Sequence, residues 1–544
     1  MRRPHARSFR VADIVDYGKG KRASMEPIHN HLFHHARSAK SKQFAYVTTK
    51  PNIFVRVLIA VVLVIAVVSC YSFFHAHWEH PQLRYGIVID GGSTGSRIHV
   101  IEYRILPGSK IDIVDRASLR ANPGLSAYAS HPEEAGESLN ELLKFGRSRV
   151  PEEQWADTEV RLMATAGLRL LDPGIQERII EECRRVLRFS GFKFMDEWAS
   201  VISGSDEGLY AWIVANYALG TLGAEPSQTT GIVELGGASV QITFVAREPL
   251  PSEFSRTVLF GNVTYNIYSH SFLHFGQNVA FDAVRESLSS IEHRSVPDMF
   301  VEGTVINPCI PKGYLFASKS SPVQQTAERG STVQPLGNFS QCRSAALALL
   351  QKDKGQCPYI HCSIGSTFIP KLEGKFLATE NFFYTSKFFG LDSKAILSKF
   401  VTVGQEFCGQ EWSSLKRKNK LILLDDEDLM HYCFSSAYIV ALLHDSLGIA
   451  LDDERIEYVN EVGNVPLDWA FGAFIFHSST HPPIQHTSWV TRIHHSARIF
   501  AVVGIFIFFT LLIWSIFKLK KPGLKTIYDL EKGRYIVTRI IRRT

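Results

Sequence analysis

The chain has 544 residues, 45% of them hydrophobic and 21% charged, so it is long enough for about three domains and too ordinary in composition for a collagenous or low-complexity protein. Its net charge of +6 is uneven: residues 1–52 carry +8, residues from Lys518 onward +7, and Arg56 and Arg498 two more, which leaves −11 on the rest. The positive charge sits at the chain ends, which excludes a nucleic-acid binder with a basic face on its folded part.

Residues 1–52 form a basic tail whose His29, His31, His34 and His35 read as polar tail rather than as a metal tract. Residues 53–74 follow, with an uninterrupted apolar run from Val57 to Phe74, and a second run spans Ile499 to Phe517 before the basic tail 518–544. Each run is long enough to cross a bilayer as a helix, and both are flanked by Lys/Arg clusters. The first begins too far into the chain for a cleaved signal peptide. The positive-inside rule then puts both termini in the cytosol and the segment between, His75 to Ala497, in a lumen or outside the cell.

In that segment, Gly86 to Ile89 reads as a buried strand, Asp90 to Gly95 as a tight turn and Ile98 to Ile105 as an alternating strand, together a hairpin with an acid at its tip. Helical periodicity covers Glu133 to Phe145 and Ile175 to Phe189, with a strand at Val160 to Thr165 between them. The pattern then repeats: Gly231 to Glu234 is strand-like, Gly236 and Gly237 make a turn, and Ser239 to Phe244 returns as a strand. Two acid-tipped glycine hairpins suggest two related α/β halves facing each other. Further on, Pro308 to Gln341 is rich in Pro, Ser, Gly and Gln and reads as a long surface loop.

Six cysteines (Cys309, Cys342, Cys357, Cys362, Cys408, Cys433) cluster in the second part, as three disulfides of an oxidising compartment would. Sequential pairing is the expectation, although six cysteines allow about 15 connectivities. Cys183 is left over as a free thiol. The sequons Asn262-Val263-Thr264 and Asn338-Phe339-Ser340 lie in the same segment and suit glycosylation there.

Glycine pairs let a backbone approach a ligand closely, and successive turn N–H groups make a nest for an anion. Ser93, Thr94, Ser96 and Ser239 add hydroxyl donors, and Asp90 and Glu234 stand where a divalent cation or its waters would meet a bound polyphosphate. Residues 91–95 also fit a serine-hydrolase elbow, but that motif needs a helix after the serine and a strand follows here. A Walker A loop is absent from the sequence, so a P-loop nucleotidase is excluded.

The stretches Ile89–Val100, Met163–Leu171, Ser203–Gly220, Gly231–Ile242 and Asp468–Ile475 resemble, in order and spacing, the five apyrase conserved regions of the ecto-nucleoside triphosphate diphosphohydrolases. Tyr268–Ala280 is also similar to that family, and two anchors with the WAFGA form of the last motif look most like its plant or endomembrane apyrases. The resemblance implies an actin-like pair of RNase H-like domains around a cleft, the first over 83–200 and completed by 466–480, the second over 201–465. It implies an apyrase that cleaves the terminal phosphoanhydride of nucleoside tri- or diphosphates with Ca²⁺ or Mg²⁺. By position, Asp90 and Glu234 would hold the cation, largely through waters, with Trp469 nearby. Gly92, Ser93, Thr94, Gly95, Gly236, Gly237 and Ala238 would bind phosphate, and Thr165 would lie near the reacting group. Glu207 would be the general base for a water that Ser239 and Gln241 position.

The family usually carries Asp where Glu234 stands, which motivates a competing expectation, a nucleotide-binding scaffold with weak or no turnover. Phe383 or Tyr384 would pack on the base, with a cation sought near Cys433, where the chain instead has Asp425, Asp426, Glu427 and Asp428. A sugar kinase of the same superfold is disfavoured by a cleft facing the lumen. The expected partners are a nucleoside di- or triphosphate and a lipid bilayer, with a Golgi or other endomembrane location and an oligomeric state that the sequence leaves open.

Overall fold

The computed structural model describes residues 83–106, 110–291, 304–316, 332–359, 362–419, 424–480 and 524–539, with eight residues of the first apolar run and seven of the second. The described residues of both runs are helical, yet among the described residues no helix is long and apolar enough to cross a membrane. The expected N-terminal tail lies outside the described residues, as does most of each expected span. Contacts divide the chain into two compact units, Met1–Glu79 and His80–Thr544, and the second contains both halves of the expected cleft.

The first sheet runs β3-β2-β1-β4-β5, with β1 (Arg84–Gly91), β2 (Ser96–Leu106), β3 (Lys110–Ala121), β4 (Glu159–Ala164) and β5 (Ala199–Val201). β1, β2 and β3 pair antiparallel, while β4 joins β1 and β5 joins β4 in parallel. α1 (Asn140–Arg149) and α2 (Pro173–Arg188) accompany this sheet. The helix expected from Glu133 starts only at Asn140, after two short 3₁₀ turns. Gly136 explains part of this, because a Cβ there would be 3.0 Å from the Glu182 carbonyl carbon and 3.0 Å from the Val186 side chain, so the segment lies tight against α2.

The second sheet repeats the order. Here β6 (Gly231–Leu235) and β7 (Ser239–Val245) pair antiparallel, β7 pairs β9 (Val263–Leu273), and β8 (Ser255–Phe260) closes that edge. On the other side of β6 lie β14 (Phe376–Glu380) and β15 (Ile456–Tyr458), both parallel. Each half thus has an antiparallel hairpin at its centre and two parallel strands beyond it, which is the repeat that the two glycine turns suggested. Between them come α4 (Gln277–Ile291) and two short ladders, β10 (Thr304–Asn307) with β11 (Thr332–Pro335) and β12 (Cys362–Ile364) with β13 (Thr367–Phe368).

The long loop expected over 308–341 is a loop only in part. β11 pairs within it and α5 (Phe339–Leu350) begins before its end, capped by the Asn338 side chain. The three disulfides pair sequentially: Cys309–Cys342, Cys357–Cys362 and Cys408–Cys433, the last joining α7 (Leu397–Cys408), which follows α6 (Asn381–Phe388), to α9 (Asp426–Val440), beyond α8 (Trp412–Asn419). Cys183 is buried on α2 as a free thiol that burial pushes up to about 12.

Two helices with no polar face join the halves. α3 (Gly204–Ala218) buries every residue from Glu207 to Asn216, and α10 (Trp469–Thr480) is similarly apolar, as helices enclosed on all sides are. α3 lies on the second sheet, where Gly208 leaves room for the Thr243 and Ser269 hydroxyls, and α10 lies on the first, where Phe474 fills the space above Gly86. They meet at Gly472, where a Cβ would collide with the Tyr210 carbonyl. Beyond α9 the strands β16 (Glu461–Val462) and β17 (Val465–Pro466) lead into α10, and β18 (Leu524–Asp529) with β19 (Arg534–Arg539) forms a hairpin near the C-terminus.

Candidate active site

The two glycine turns face each other. A Cβ on Gly237 would lie 3.2 Å from the Ser93 Oγ and 3.6 Å from the Thr94 Cγ2, so a side chain at this tip would fill the gap between the halves. Supporting loops press against each turn from behind through glycine. Gly124 and Gly167 leave no space for a Cβ beside Ser93, and Gly276 leaves none beside Ala238. In the second turn the carbonyls of Gly236 and Gly237 accept hydrogen bonds from Gln277, Asn278 and Val279 at the start of α4, and that of Ala238 accepts from His274 (2.9–3.2 Å). The carbonyls are thereby turned away from the cleft. Among the described residues the N–H groups of Ser93, Thr94, Gly237 and Ala238 donate to nothing, which makes two opposed nests of the kind that bind phosphate oxygens.

Five buried or half-buried acids surround the nests. Asp90 is the penultimate residue of β1, Glu234 lies near the end of β6, Glu207 occupies the first turn of α3, Glu380 ends β14, and Asp468 precedes α10. Among the described residues the Asp90 Oδ1 and the Glu234 Oε2 have no hydrogen-bond partner. Burial, together with the neighbouring acids, holds both carboxyls well above the ordinary range; for Asp90 the Arg97 guanidinium only partly offsets this. Asp468 is the exception. Burial pushes its carboxyl up, but His99, Arg97 (3.1 Å) and the Ala470 N–H (2.9 Å) outweigh that and hold it below its ordinary value.

Glu207 sits where the helix start is fixed by Ser203, whose hydroxyl accepts from the Asp206 N–H (3.1 Å). Its Oε2 receives the Arg169 Nη2 at 2.8 Å, and Arg169 is anchored by the Ile202 carbonyl (3.1 Å). Burial raises the Glu207 carboxyl above its ordinary value, while Arg169 and the Gln241 amide oppose the shift. The same Gln241 Nε2 donates to the Ser239 Oγ (2.6 Å) and the Ser271 Oγ (3.2 Å). Glu207, Gln241 and Ser239 therefore form one connected polar set beside the second nest. Thr165 is buried at the end of β4, where its N–H donates to the Gly91 carbonyl (3.2 Å) next to the first nest. Ser93 runs directly into β2, so it is not a nucleophile elbow.

Arg120 bonds the Thr94 hydroxyl at 2.7 Å and so reaches the tip of the first turn. Phe383 and Tyr384 lie in the first turn of α6; Phe383 carries the Lys387 ammonium over its ring at 5.6 Å, and Tyr384 is half exposed. The cation sought near Cys433 is not in the acidic stretch, whose Asp425 instead caps α9 and whose Asp426 pairs with Lys416. Trp469 is half-buried at the start of α10. Arg97, Arg169, Glu380 and Asp468 escaped the reading of the residues. Arg97 and Arg169 lie inside recognised stretches and could have been found there, but Glu380 is brought in only by the parallel pairing of β14 with β6.

Among the described residues no three His, Cys, Asp or Glu side chains are close enough together to hold a metal ion directly. Opposed N–H nests between two sheets of like order, with a buried carboxylate and its hydrogen-bonded partners alongside, are what a phosphohydrolase of the two-lobed nucleotide-cleft type requires. Comparison with known proteins agrees. The chain matches the GDA1/CD39 (nucleoside phosphatase) family over residues 77–489. It is 52% identical to the probable apyrase 6 of Arabidopsis thaliana over 99% of this chain and 100% of that one, and 29% identical to the mouse ectonucleoside triphosphate diphosphohydrolase 3 over 76% and 82%. A nucleoside triphosphate hydrolase from Neospora caninum shares the fold, with a TM-score of 0.57 at 17% identity, covering 78% of this chain and 98% of that one. The chain belongs to the GDA1/CD39 nucleoside phosphatase family, and it is an enzyme of nucleotide hydrolysis.

Proposed function

We propose that the protein is a membrane-anchored apyrase in which Glu207 takes the proton from a water that attacks the terminal phosphorus of a bound nucleoside di- or triphosphate. The observation that carries this reading is the connected set of Glu207, Gln241 and Ser239 beside the opposed nests. The Gln241 amide and the Ser239 hydroxyl orient the water, and the Arg169 ion pair fixes the carboxylate that receives its proton. Burial strengthens Glu207 as a base by raising its proton affinity toward the working pH. Thr165 lies by the first nest, near the reacting phosphate. The N–H groups of Ser93, Thr94, Gly237 and Ala238, with Gly92, Gly95 and Gly236 keeping the turns narrow, bear the charge on the phosphoryl oxygens.

The unpartnered Asp90 Oδ1 and Glu234 Oε2, buried with too few positive neighbours, fit a divalent cation, Ca²⁺ or Mg²⁺, held largely through waters, with Trp469 beside it. When bound, it would neutralise the polyphosphate and the surrounding acids. The base is proposed to pack on Phe383 or Tyr384, with Lys387 the nearest cation to that pair. The two apolar runs are proposed as membrane spans that keep both basic tails cytosolic and the catalytic unit in a lumen, with Golgi or another endomembrane favoured. Asn262, exposed between β8 and β9, is the better placed of the two sequons for a glycan.

Phosphate release from ATP, ADP, GDP and UDP with Ca²⁺ or Mg²⁺ tests the reading directly. Glu207→Gln keeps the size of the side chain but cannot take the proton, so turnover should fall about 10²- to 10⁴-fold. Wild-type turnover in that variant, in a preparation free of other phosphatases, would remove Glu207 from the mechanism.

A further inference from the structure

Glu380 stands where the local fold gives no reason for a glutamate. Its backbone lies at φ 59° and ψ −123°, a region that glycine enters freely and a glutamate only under strain. It precedes α6 at the capping position, yet its side chain makes no capping bond, and Ser, Thr, Asp or Asn would serve there. The Glu380 backbone is held: its N–H donates to the Asn460 Oδ1 at 2.8 Å, and the side-chain amide Nδ2 of the next residue, Asn381, donates to the Leu235 carbonyl at 2.8 Å. Glu380 is half-buried, and its carboxyl makes no hydrogen bond among the described residues, which leaves it able to accept one from a ligand.

Its position narrows the ligand. On one side, the parallel ladder sets Glu380 beside Leu235, directly before the second nest. On the other, Tyr384 lies one turn along α6, held through Asn460, the residue that also bonds the Glu380 N–H. Across the cleft are Arg97 and Arg120, the latter on the tip of the first nest. Burial and Asp468 raise the Glu380 carboxyl above its ordinary value, but unlike Glu234 it also has two guanidinium groups, Arg97 and Arg120, that partly offset this. What remains is a hydrogen-bond acceptor between the phosphate nests and the aromatic pair.

We propose that Glu380 is a specificity-determining residue that accepts hydrogen bonds from the ribose hydroxyls of the bound nucleotide. This rests on the cleft being the nucleotide site. A site built to bond a hydroxyl discriminates strongly against the analogue that lacks it, because its buried polar group is then left unpaired.

The test compares kcat/KM for ATP and for 2′,3′-dideoxy-ATP in wild type, Glu380→Gly and Glu380→Gln, using the full chain. Wild type should prefer the ribonucleotide by about ten- to hundredfold, Glu380→Gly should bring that ratio close to one, and Glu380→Gln, which keeps an acceptor, should fall between. Glycine suits the backbone, so the thermal midpoint of Glu380→Gly should equal or exceed that of wild type. A wild-type ratio near one, or a ratio that Glu380→Gly leaves unchanged while both rates fall together, would overturn the proposal, since a cation-binding or purely structural role lowers both substrates alike. A lowered midpoint in Glu380→Gly would also count against it. Wild-type turnover in Glu207→Gln would instead remove Glu207 from the mechanism and, with it, the observation on which the reading of this cleft as the nucleotide site rests.

Discussion

Glu234 is buried with an oxygen that nothing among the described residues satisfies, and its carboxyl is raised by burial and then by Glu207, Glu380 and Asp468. A carboxyl raised in the folded state binds more protons folded than unfolded between its ordinary and its raised value. Without cation, it therefore detracts from stability as pH rises through that window and ceases to do so on acidification. The buried His99, His270 and His431 act in the opposite sense, because burial lowers each and acid must charge them. Their contribution cancels when wild type is compared with Glu234→Gln. The expected result is that the midpoint of metal-free wild type, relative to Glu234→Gln, falls as pH rises from about 5 to 8, and that added Ca²⁺ raises wild type more than the variant. Thermal scans at several pH values check this, and parallel curves would mean that Glu234 is charge-compensated in a way the structure does not contain. The sequence exposed Asp90 and Glu234 because each stands just before a glycine turn. Glu380 was hidden because its link to the site is a pairing between strands about 140 residues apart, with no local motif to mark it.

Among elements, α3 and α10 decide how the halves meet. Gly472 is the point of closest approach, where a Cβ would strike the Tyr210 carbonyl, and backbone cannot yield as a flexible side chain can. Gly472→Ala should therefore destabilise by about 1–3 kcal/mol through overpacking. Gly355→Ala, at an exposed position with nothing within 4 Å, serves as the control and should stay within about 0.5 kcal/mol. Chemical denaturation of both variants measures the difference, and equal midpoints would show that the helices can separate without loss. The periodicity of these elements was legible only in part. The central hairpins appeared from their alternation and turns, but α3 and α10 are apolar on every side, so no amphipathic stripe shows which face meets which sheet. The start of α1 was misplaced for the related reason that Gly136 answers to α2 and not to its own neighbours.

At the scale of the whole molecule, charge and cysteine usage divide the chain as strongly as any motif does. Both basic tails should remain on one side of the membrane, with the disulfide-bonded catalytic unit on the other. In sealed microsomes a tag on either terminus should be digested by added protease while the catalytic unit survives; an N-terminal tag that resists protease without detergent would reverse the topology. The acidic middle, the two apolar runs, the duplicated acid-tipped glycine turns and the clustering of six cysteines were determined by the sequence itself, because each depends on composition or on residues close along the chain, whereas the pairing of those cysteines was decided by the fold. Tertiary structure alone decided that the two turns oppose each other across a cleft, that Arg169 holds Glu207, and that Glu380 stands between the nests and the aromatic pair. Those relations come from two sheets of equal order packed through α3 and α10, and long-range contacts of this kind leave no periodic trace in the chain that makes them.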